Sequence, residues 1–319
     1  MASEELHETH DVEPAEVQYL SQWEQIAPIW RSQLWLGVQA LRRLGKRTAS
    51  GMPLFSSLVL RIHPSQCGPS SISYALSLFR KYSTYLSGAA LALGETTICE
   101  AGPGPSLGVS AMFALAGAKA VTAVDYELWA SMDRTLAGLP DLAEALLSNA
   151  HWSPDEAEAI LRRAREGDVR LAYERQSLES LALPRDSVDF LFSHAVLEHV
   201  GDLTAAFRSM ARVLSPKGVA VHRVDLRDHG FMAKRNPWLM LQFPDWLWRA
   251  CTDGAPGAIT RNLFPDYVAA AQEAGLKVHI SSLDRVQHFP IPLCRLAREF
   301  RHLPADVLAI TGFEMVCSR

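Results

Sequence analysis

Residues 97–108 read TICEAGPGPSLG, a strand-like segment that ends in a glycine-rich turn. The β-favouring residues lead into an acid, Glu100, and the turn over 102–104 leads into an apolar run from 107 to 115 that favours a helix. A strand, a tight turn and a helix in this order are typical of an open α/β sheet. In such a sheet a nucleotide-like ligand lies beyond the carboxyl end of the strand, because glycine lets the backbone approach it closely.

The composition favours small-molecule chemistry over nucleic-acid binding. The chain has 319 residues, of which 48% are hydrophobic and 21% charged, enough for a sizeable core. Its 31 basic residues against 35 acidic ones give a net charge of −4. A nucleic-acid backbone requires a basic surface, so we expect no nucleic-acid partner.

Neither the cysteines nor the first residues indicate export or membrane insertion. The five cysteines are scattered without a CxxC pair, which favours a reducing cytoplasm over a disulfide framework or a zinc site. The first 16 residues are acidic and polar, unlike a signal peptide. The most apolar run, 111–124, is too short to span a bilayer and contains Lys119. We therefore predict a cytoplasmic protein with no membrane span.

An N-terminal helical extension is predicted over residues 1–93. Apolar residues recur at steps of three and four between Pro14 and Leu44, and the stretch 70–93 is again helical. We expect the aromatic face of the first stretch to pack on the main domain, 94–319. The alternatives are that it lines an acceptor pocket or forms a homodimer interface.

Two further strands place polar residues near the glycine turn. Residues 121–124 read as the second strand and end at Asp125, an acid in position to accept both ribose hydroxyls of a nucleoside. The third strand, 169–173, precedes Ser177, which lies where an adenine edge would be met. An ordinary helix cap is the alternative role for Ser177.

The run DSVDFLFSHAVLEHVG, residues 186–201, predicts a fourth strand over 188–192. Ser193 and His194 then emerge at its carboxyl end, in the same crevice as Gly102 and Asp125. Asp202 is expected to cap a helix over 203–214, and the fifth strand follows a turn at 215–218.

Four features of the sequence together resemble the class I S-adenosylmethionine-dependent methyltransferases, in particular their ubiquinone-biosynthesis-like branch. They are CEAGPGPSLG, the acid after the second strand, DSVDFLFSHAVLEHV and MARVLSPKGVAVHRVD. The resemblance covers about residues 94–225. It implies an α/β fold, a Rossmann-like seven-stranded sheet with helices on both faces. The final strand, 309–317, would be reversed and would follow a strand at 277–282. It also implies S-adenosylmethionine as cofactor and a small-molecule acceptor.

The same resemblance implies roles for individual residues. Gly102 and Gly104 would cradle the methionine end of the cofactor, with Glu100 helping to hold it. Asp125 would bind the ribose, and Ser177 with Leu178 would border the adenine. The full set of cofactor-binding candidates is Glu100, Ala101, Gly102, Gly104, Asp125, Tyr126, Ser177, Leu178 and Ser193.

Two departures from family patterns bear on the cofactor and on a metal. Position 107, where a dinucleotide-binding motif requires glycine, is leucine, which disfavours a nicotinamide cofactor. In metal-dependent relatives the segment after the fourth strand resembles EVxEH. Here Glu198 and His199 remain but Ala195 takes the place of the first glutamate. We therefore expect no resident metal, with His199 orienting the turn.

The catalytic candidates are His194, His222 and Asp225. A sulfonium cofactor already carries the reactive methyl group, so the protein supplies orientation, and a base where the nucleophile is a hydroxyl. Histidine is the natural base near neutral pH. The crowded run 222–229 is either an acid/base set or a structural ion-pair cluster, and His222 alternatively faces a flanking helix.

An insertion at about 226–261 is rich in aromatic residues and is predicted to be a lid over an apolar acceptor pocket. A packing patch and a dimer contact are the alternatives. The aromatic residues of the insertion are Phe231, Trp238, Phe243, Trp246 and Trp248.

Together the features of the sequence predict a methyltransferase that acts on a small or medium-sized acceptor, by O-methylation, with N- or C-methylation left open. The competing functions are a non-catalytic S-adenosylmethionine-binding subunit and, less favoured, a nicotinamide-dependent oxidoreductase.

Overall fold

A computed structural model describes residues 16–20, 71–148, 152–229, 236–252 and 258–319. Most of the helical stretch predicted between Pro14 and Leu44 lies outside these residues, as does Phe231. Among the helices that are described, none is long and apolar enough to cross a membrane.

The described part of the chain forms a single eight-stranded sheet in the order β1-β7-β8-β6-β5-β2-β3-β4. The five strands from β2 to β6 pair with one another in parallel. Strand β8 is antiparallel to both of its neighbours, β6 and β7. The reversed final strand that the family resemblance implies is therefore present. The strands are β1 (Val17–Tyr19), β2 (Thr97–Ala101), β3 (Ala120–Asp125), β4 (Leu171–Arg175), β5 (Val188–His194), β6 (Leu214–Asp225), β7 (Lys277–Arg285) and β8 (Ile310–Ser318).

The expected count of seven strands is corrected to eight. The additional strand, β1, pairs in parallel with β7, with Val17 opposite Leu283. The helical spacing around residue 17 did not predict it, because hydrogen bonds to an open sheet edge override a local periodicity.

Helices cover both faces of the sheet. Several begin at side-chain caps that the sequence contains, such as Ser71 before α1, Ser153 in a capping box with Glu156 before α5, and Asp202 before α6. The helices are α1 (Ile72–Gly88), α2 (Gly108–Leu115), α3 (Met132–Ala137), α4 (Leu139–Leu147), α5 (Pro154–Glu166), α6 (Leu203–Val213), α7 (Asp245–Thr252), α8 (Phe264–Glu273) and α9 (Ala305–Leu308).

Each face of the sheet has its own apolar core. On one face α1, α2, α4 and α5 pack over residues such as Ile98, Phe190 and Phe192. On the other face α6 and α8 pack over Leu191 and Phe313. Since α1 shares a core with β2 and α2, the domain boundary predicted near residue 94 falls within one packed layer.

The turn predicted at 215–218 lies inside β6 as an irregularity. Val188 of β5 is opposite Leu214, while Phe190 is already opposite Val219. The four residues between these pairs therefore bulge out of the ladder. The predicted turn was wrong in its place, because β6 begins at Leu214 and includes these residues.

The aromatic insertion packs with a second segment that the sequence analysis did not single out. Trp238, Phe243 and Trp248 are buried in a third cluster together with residues from 286 to 309, which connect β7 to β8. Trp246, in contrast, is 71% exposed. These three aromatic side chains therefore form a core of the insertion, and its role as a lid stays a prediction.

Candidate active site

The carboxyl ends of four parallel strands meet at one edge of the sheet and form the candidate active site. Ala101 of β2 lies opposite Val124 of β3 and Ser193 of β5, and Ser193 lies opposite His222 of β6. The loops that follow these strands must therefore converge. In an open α/β sheet this is where ligands bind.

The glycine turn after β2 has a backbone that only glycine adopts without strain. Gly102 and Gly104 have φ values of +68° and +66°. A Cβ atom at Gly102 would lie 2.4 Å from Cγ2 of Val196, which follows β5. The turn is therefore both left-handed and in close contact with the next loop.

Asp125, the last residue of β3, is tied to this turn. Its Oδ2 atom accepts a hydrogen bond of 3.1 Å from the amide of Gly104. Burial raises the pKa of the Asp125 carboxyl to about 6, although the backbone amide of Gly104 opposes the shift. The acid thus lies at the carboxyl end of β3, beside the glycine turn, and its ribose-binding role stays a prediction.

Glu100 connects β2 to the helix that follows. Its buried Oε2 atom accepts hydrogen bonds from the amide of Ser110, at 3.1 Å, and from the Ser110 hydroxyl. Burial raises the pKa of Glu100 to about 7. One of its oxygens is therefore used to hold the glycine turn between β2 and α2.

The remaining cofactor candidates differ in what they present to the crevice. The Ser177 hydroxyl accepts a hydrogen bond of 3.3 Å from the amide of Glu179 and so caps the short turn that follows, the alternative role considered from the sequence. It also donates a hydrogen bond of 2.6 Å to the Glu179 carboxylate. The side chains of Ala101 and Leu178 are buried in the core, so any contact they make with a ligand is through their backbone. Tyr126 is 71% exposed.

Ser193 and His222 are paired inside the sheet. The Ser193 hydroxyl lies 2.8 Å from Nδ1 of His222, and both side chains are fully buried. The His222 ring meets Phe207 of α6 edge to face, and burial lowers its pKa to about 3. His222 therefore faces a flanking helix, the alternative considered from the sequence, and its burial disfavours a role as base.

His194, one residue further along β5, lies at the edge of the crevice. Its Nδ1 atom is 3.1 Å from the hydroxyl of Tyr82, which itself donates a 2.9 Å hydrogen bond to the carbonyl of Ser193. Burial and the positive charges of Lys81 and Arg223 lower the pKa of His194 to about 4. The imidazole is therefore neutral at physiological pH.

The run after β6 is an ion-pair cluster. Asp225 accepts two side-chain hydrogen bonds from Arg227, at 2.7 and 2.5 Å, and lies 3.5 Å from Nε2 of His229. Burial would raise the pKa of Asp225, but the hydrogen bonds from Arg227 and His229 outweigh it and hold the pKa well below its usual range. A carboxylate held in this way is a poor base, so the geometry favours a positioning role.

Glu198 and His199 lie in the turn after β5, against both the insertion and the loop after β6. The amide of Thr260 donates to the Glu198 carbonyl at 2.6 Å, and Nδ1 of His199 is 3.0 Å from the carbonyl of Ala258. Burial raises the pKa of Glu198 well above its usual range and lowers that of His199 to about 4. The sequence analysis did not single out His229, although it named the run that contains it, and in the structure His229 lies beside this pair.

Comparison with known proteins identifies the enzyme class. Residues 141–222 match the sequence model of a family described as "Methyltransferase domain". This match shows a methyltransferase enzyme. The matched segment includes Ser177, Ser193 and His194 and begins after the glycine turn and Asp125. The predicted class of enzyme is therefore confirmed, and S-adenosylmethionine, the predicted methyl donor, is the cofactor that fits it.

Solved structures resemble the methyltransferase more weakly. The YcgJ protein from Bacillus subtilis is 14% identical, with 77% of this chain and 99% of that chain covered and a TM-score of 0.42. An S-adenosylmethionine-dependent methyltransferase from Mesorhizobium loti is 19% identical, with 74% and 96% covered and a TM-score of 0.42. No curated protein matches the chain significantly. At such TM-scores we infer nothing further from the solved structures.

Proposed function

We propose that this protein transfers a methyl group from S-adenosylmethionine to a hydroxyl oxygen of a small or medium-sized acceptor, as in the ubiquinone-biosynthesis-like branch of the methyltransferases. The observation that carries the proposal is the position of His194 at the carboxyl end of β5, next to the strand that leads into the glycine turn. A neutral histidine in this position can accept the proton of an acceptor hydroxyl.

The residues around the glycine turn fit the cofactor. Gly102 and Gly104 would hold its methionine end against the backbone, and Asp125 would accept the ribose hydroxyls. Ser177 and the Leu178 backbone would border the adenine. When bound, the cofactor supplies a methyl group already activated by a sulfonium charge.

Hydrogen bonds set the tautomer of His194. Tyr82 has one hydroxyl proton and donates it to the Ser193 carbonyl, so its oxygen is left to accept from His194. Nδ1 of His194 then carries the proton, and Nε2 keeps the free lone pair. As the acceptor oxygen gains the methyl group, its proton passes to this Nε2.

The first test is calorimetric titration of the purified protein with S-adenosylhomocysteine, with NADP as control ligand. We expect micromolar binding of the first and none of the second. Binding of NADP alone would support the oxidoreductase and refute the proposal.

The second test measures methyl transfer to a panel of hydroxyl, amine and carbon acceptors. We expect turnover with hydroxyl acceptors and a loss of kcat of about 10²-fold or more in His194→Ala, the typical effect of removing a general base. His302→Ala is the matched control, because this histidine is exposed and distant in sequence from the crevice. Turnover that persists in His194→Ala would exclude the base, and binding without any turnover would indicate the non-catalytic subunit.

A further inference from the structure

Three side chains that could ligate a metal lie together between the turn after β5 and the loop after β6. One donor atom each from Glu198, His199 and His229 lies within 4.8 Å of the other two. A tetrahedral ion with bonds of about 2.1 Å holds its donors roughly 3.4 Å apart. Side-chain movements on the order of 1 Å would therefore bring the three donors onto one ion.

The carboxylate of Glu198 accepts no hydrogen bond from a side chain or backbone group of the described residues. The residue is 2% exposed, and neither of its carboxylate oxygens has a hydrogen-bond partner within the described residues. A buried carboxylate without a partner is strongly unfavourable unless it is protonated, paired or bound to a metal. This orphaned group thus points to a ligand that the protein atoms do not supply.

Each histidine has a second polar contact, a hydrogen bond for His199 and a carboxylate 3.5 Å away for His229, as metal-binding histidines usually do. His199 can donate its Nδ1–H to the carbonyl of Ala258, which leaves the lone pair on Nε2. His229 has Nε2 at 3.5 Å from the Asp225 carboxylate, which leaves Nδ1 as the donor atom. Each ring therefore has one nitrogen available for an ion.

We propose that Glu198, His199 and His229 bind one divalent first-row transition-metal ion, such as Zn²⁺ or Co²⁺, and that Asp225 supports the site through His229. Two imidazoles and one carboxylate suit these ions, whereas Mg²⁺ and Ca²⁺ prefer sites made entirely of oxygen. Three protein donors leave coordination positions for water or another oxygen ligand. From the sequence we expected no metal because only two donors, Glu198 and His199, lie within residues 195–199. In the structure His229 adds a third donor from a different loop.

The test measures metal binding directly and so does not depend on the proposed methyl transfer. The tag-free full-length chain, dialysed against EDTA, is titrated with ZnCl₂ by calorimetry and with CoCl₂ by visible absorption. We expect one ion per chain, with Co²⁺ giving the d–d bands of a site that contains nitrogen ligands. Preferential binding of Mg²⁺ over these ions would overturn the assignment.

Variants separate this site from surface histidines. Glu198→Gln preserves size and removes the charge, and His229→Ala removes a partly exposed ring, so at least the second should fold. We expect each to weaken binding by 100-fold or more, and Asp225→Asn to weaken it by about 10- to 100-fold. His302→Ala should bind as the wild type does. Zn²⁺ affinity unchanged in His229→Ala, or a wild-type chain that binds no ion, would refute the proposal.

Discussion

The amide nitrogen of Gly104 lies 3.1 Å from Oδ2 of Asp125, so the glycine turn after β2 and the acid that ends β3 are held together by a hydrogen bond. Twenty-one residues separate the two in sequence. Since the donor lies in the turn that follows β2 and the acceptor ends the adjacent parallel strand β3, the pairing of these strands brings the two together.

This relationship predicts that Asp125→Ala weakens the binding of S-adenosylhomocysteine at least tenfold. Hydrogen bonds to a charged acceptor each contribute about 1.5–3 kcal/mol, and 1.4 kcal/mol corresponds to a factor of ten in affinity. Calorimetric titration measures the change. Asp133→Ala, at an exposed aspartate of α3, is the control and should bind normally. Equal affinities in the two variants would rule out the ribose assignment.

Gly102→Ala is expected to destabilise the fold more than Gly167→Ala does. Both glycines have φ near +67°, so both variants carry the left-handed strain of about 1–2 kcal/mol. At Gly102 the new Cβ also meets Val196 at 2.4 Å, whereas at Gly167 no described atom lies within 4 Å. We expect the clash to cost on the order of a further 1–3 kcal/mol in urea unfolding.

Removing the clashing side chain tests whether contact is the cause. Adding Val196→Ala to Gly102→Ala should recover part of the lost free energy of unfolding, because the steric term disappears and the backbone strain remains. A double variant no more stable than Gly102→Ala would show that Val196 is not responsible.

Tyr82→Phe is expected to release the tautomer of His194. The phenol fixes the proton on Nδ1 of His194, so ¹⁵N chemical shifts of the imidazole should report the Nδ1–H form in the wild type and a mixture in the variant. Tyr85→Phe is the matched control and should keep the Nδ1–H form. Tyr85 lies one turn after Tyr82 in α1, and its hydroxyl donates a 2.6 Å hydrogen bond to Glu314 of β8. The same mixture in wild type and Tyr82→Phe would contradict this orienting role.

The contribution of Glu100 to the stability of the protein should fall as pH rises from about 4.5 to 7. Burial raises the pKa of Glu100 from 4.5 to about 7, so in this range the folded chain keeps a proton that the unfolded chain has released. The stabilisation is complete below pH 4.5 and is lost through pH 7, by about 3 kcal/mol for this shift. Urea unfolding of the wild type and of Glu100→Gln at several pH values measures this contribution as the difference between their slopes, because other buried groups such as His194 and His222 also contribute to each slope.

Glu100→Gln should remove this contribution to the pH slope, because the amide has the same shape and does not titrate. Glu95→Gln, at an exposed glutamate just before β2, should leave it unchanged. A slope that is the same in Glu100→Gln and the wild type would mean that another group carries the pH dependence.

Local sequence signals predicted the sheet well where a strand carries its own pattern. The strands around Glu100, Asp125 and His194 and the helix cap at Ser153 all lie within a few residues of their predicted places. Strand β1 was missed, because a three-residue strand has too little pattern of its own and forms only by pairing with β7. The partner of the aromatic insertion, residues 286–309, was missed for a similar reason: its burial depends on a segment about 50 residues away.

The sequence by itself determined the parallel sheet, the left-handed glycine turn, the acid that follows the second strand and the class of enzyme, because each depends on residue types at short spacing. The tertiary structure decided which side chains of the active site meet. It buried His222 under α6 while leaving His194 against Tyr82, and it brought His229 to Glu198 and His199. The contacting residues are 15 positions apart for Phe207 and His222, 30 for His199 and His229, and 112 for Tyr82 and His194. No local periodicity encodes a distance between separate loops.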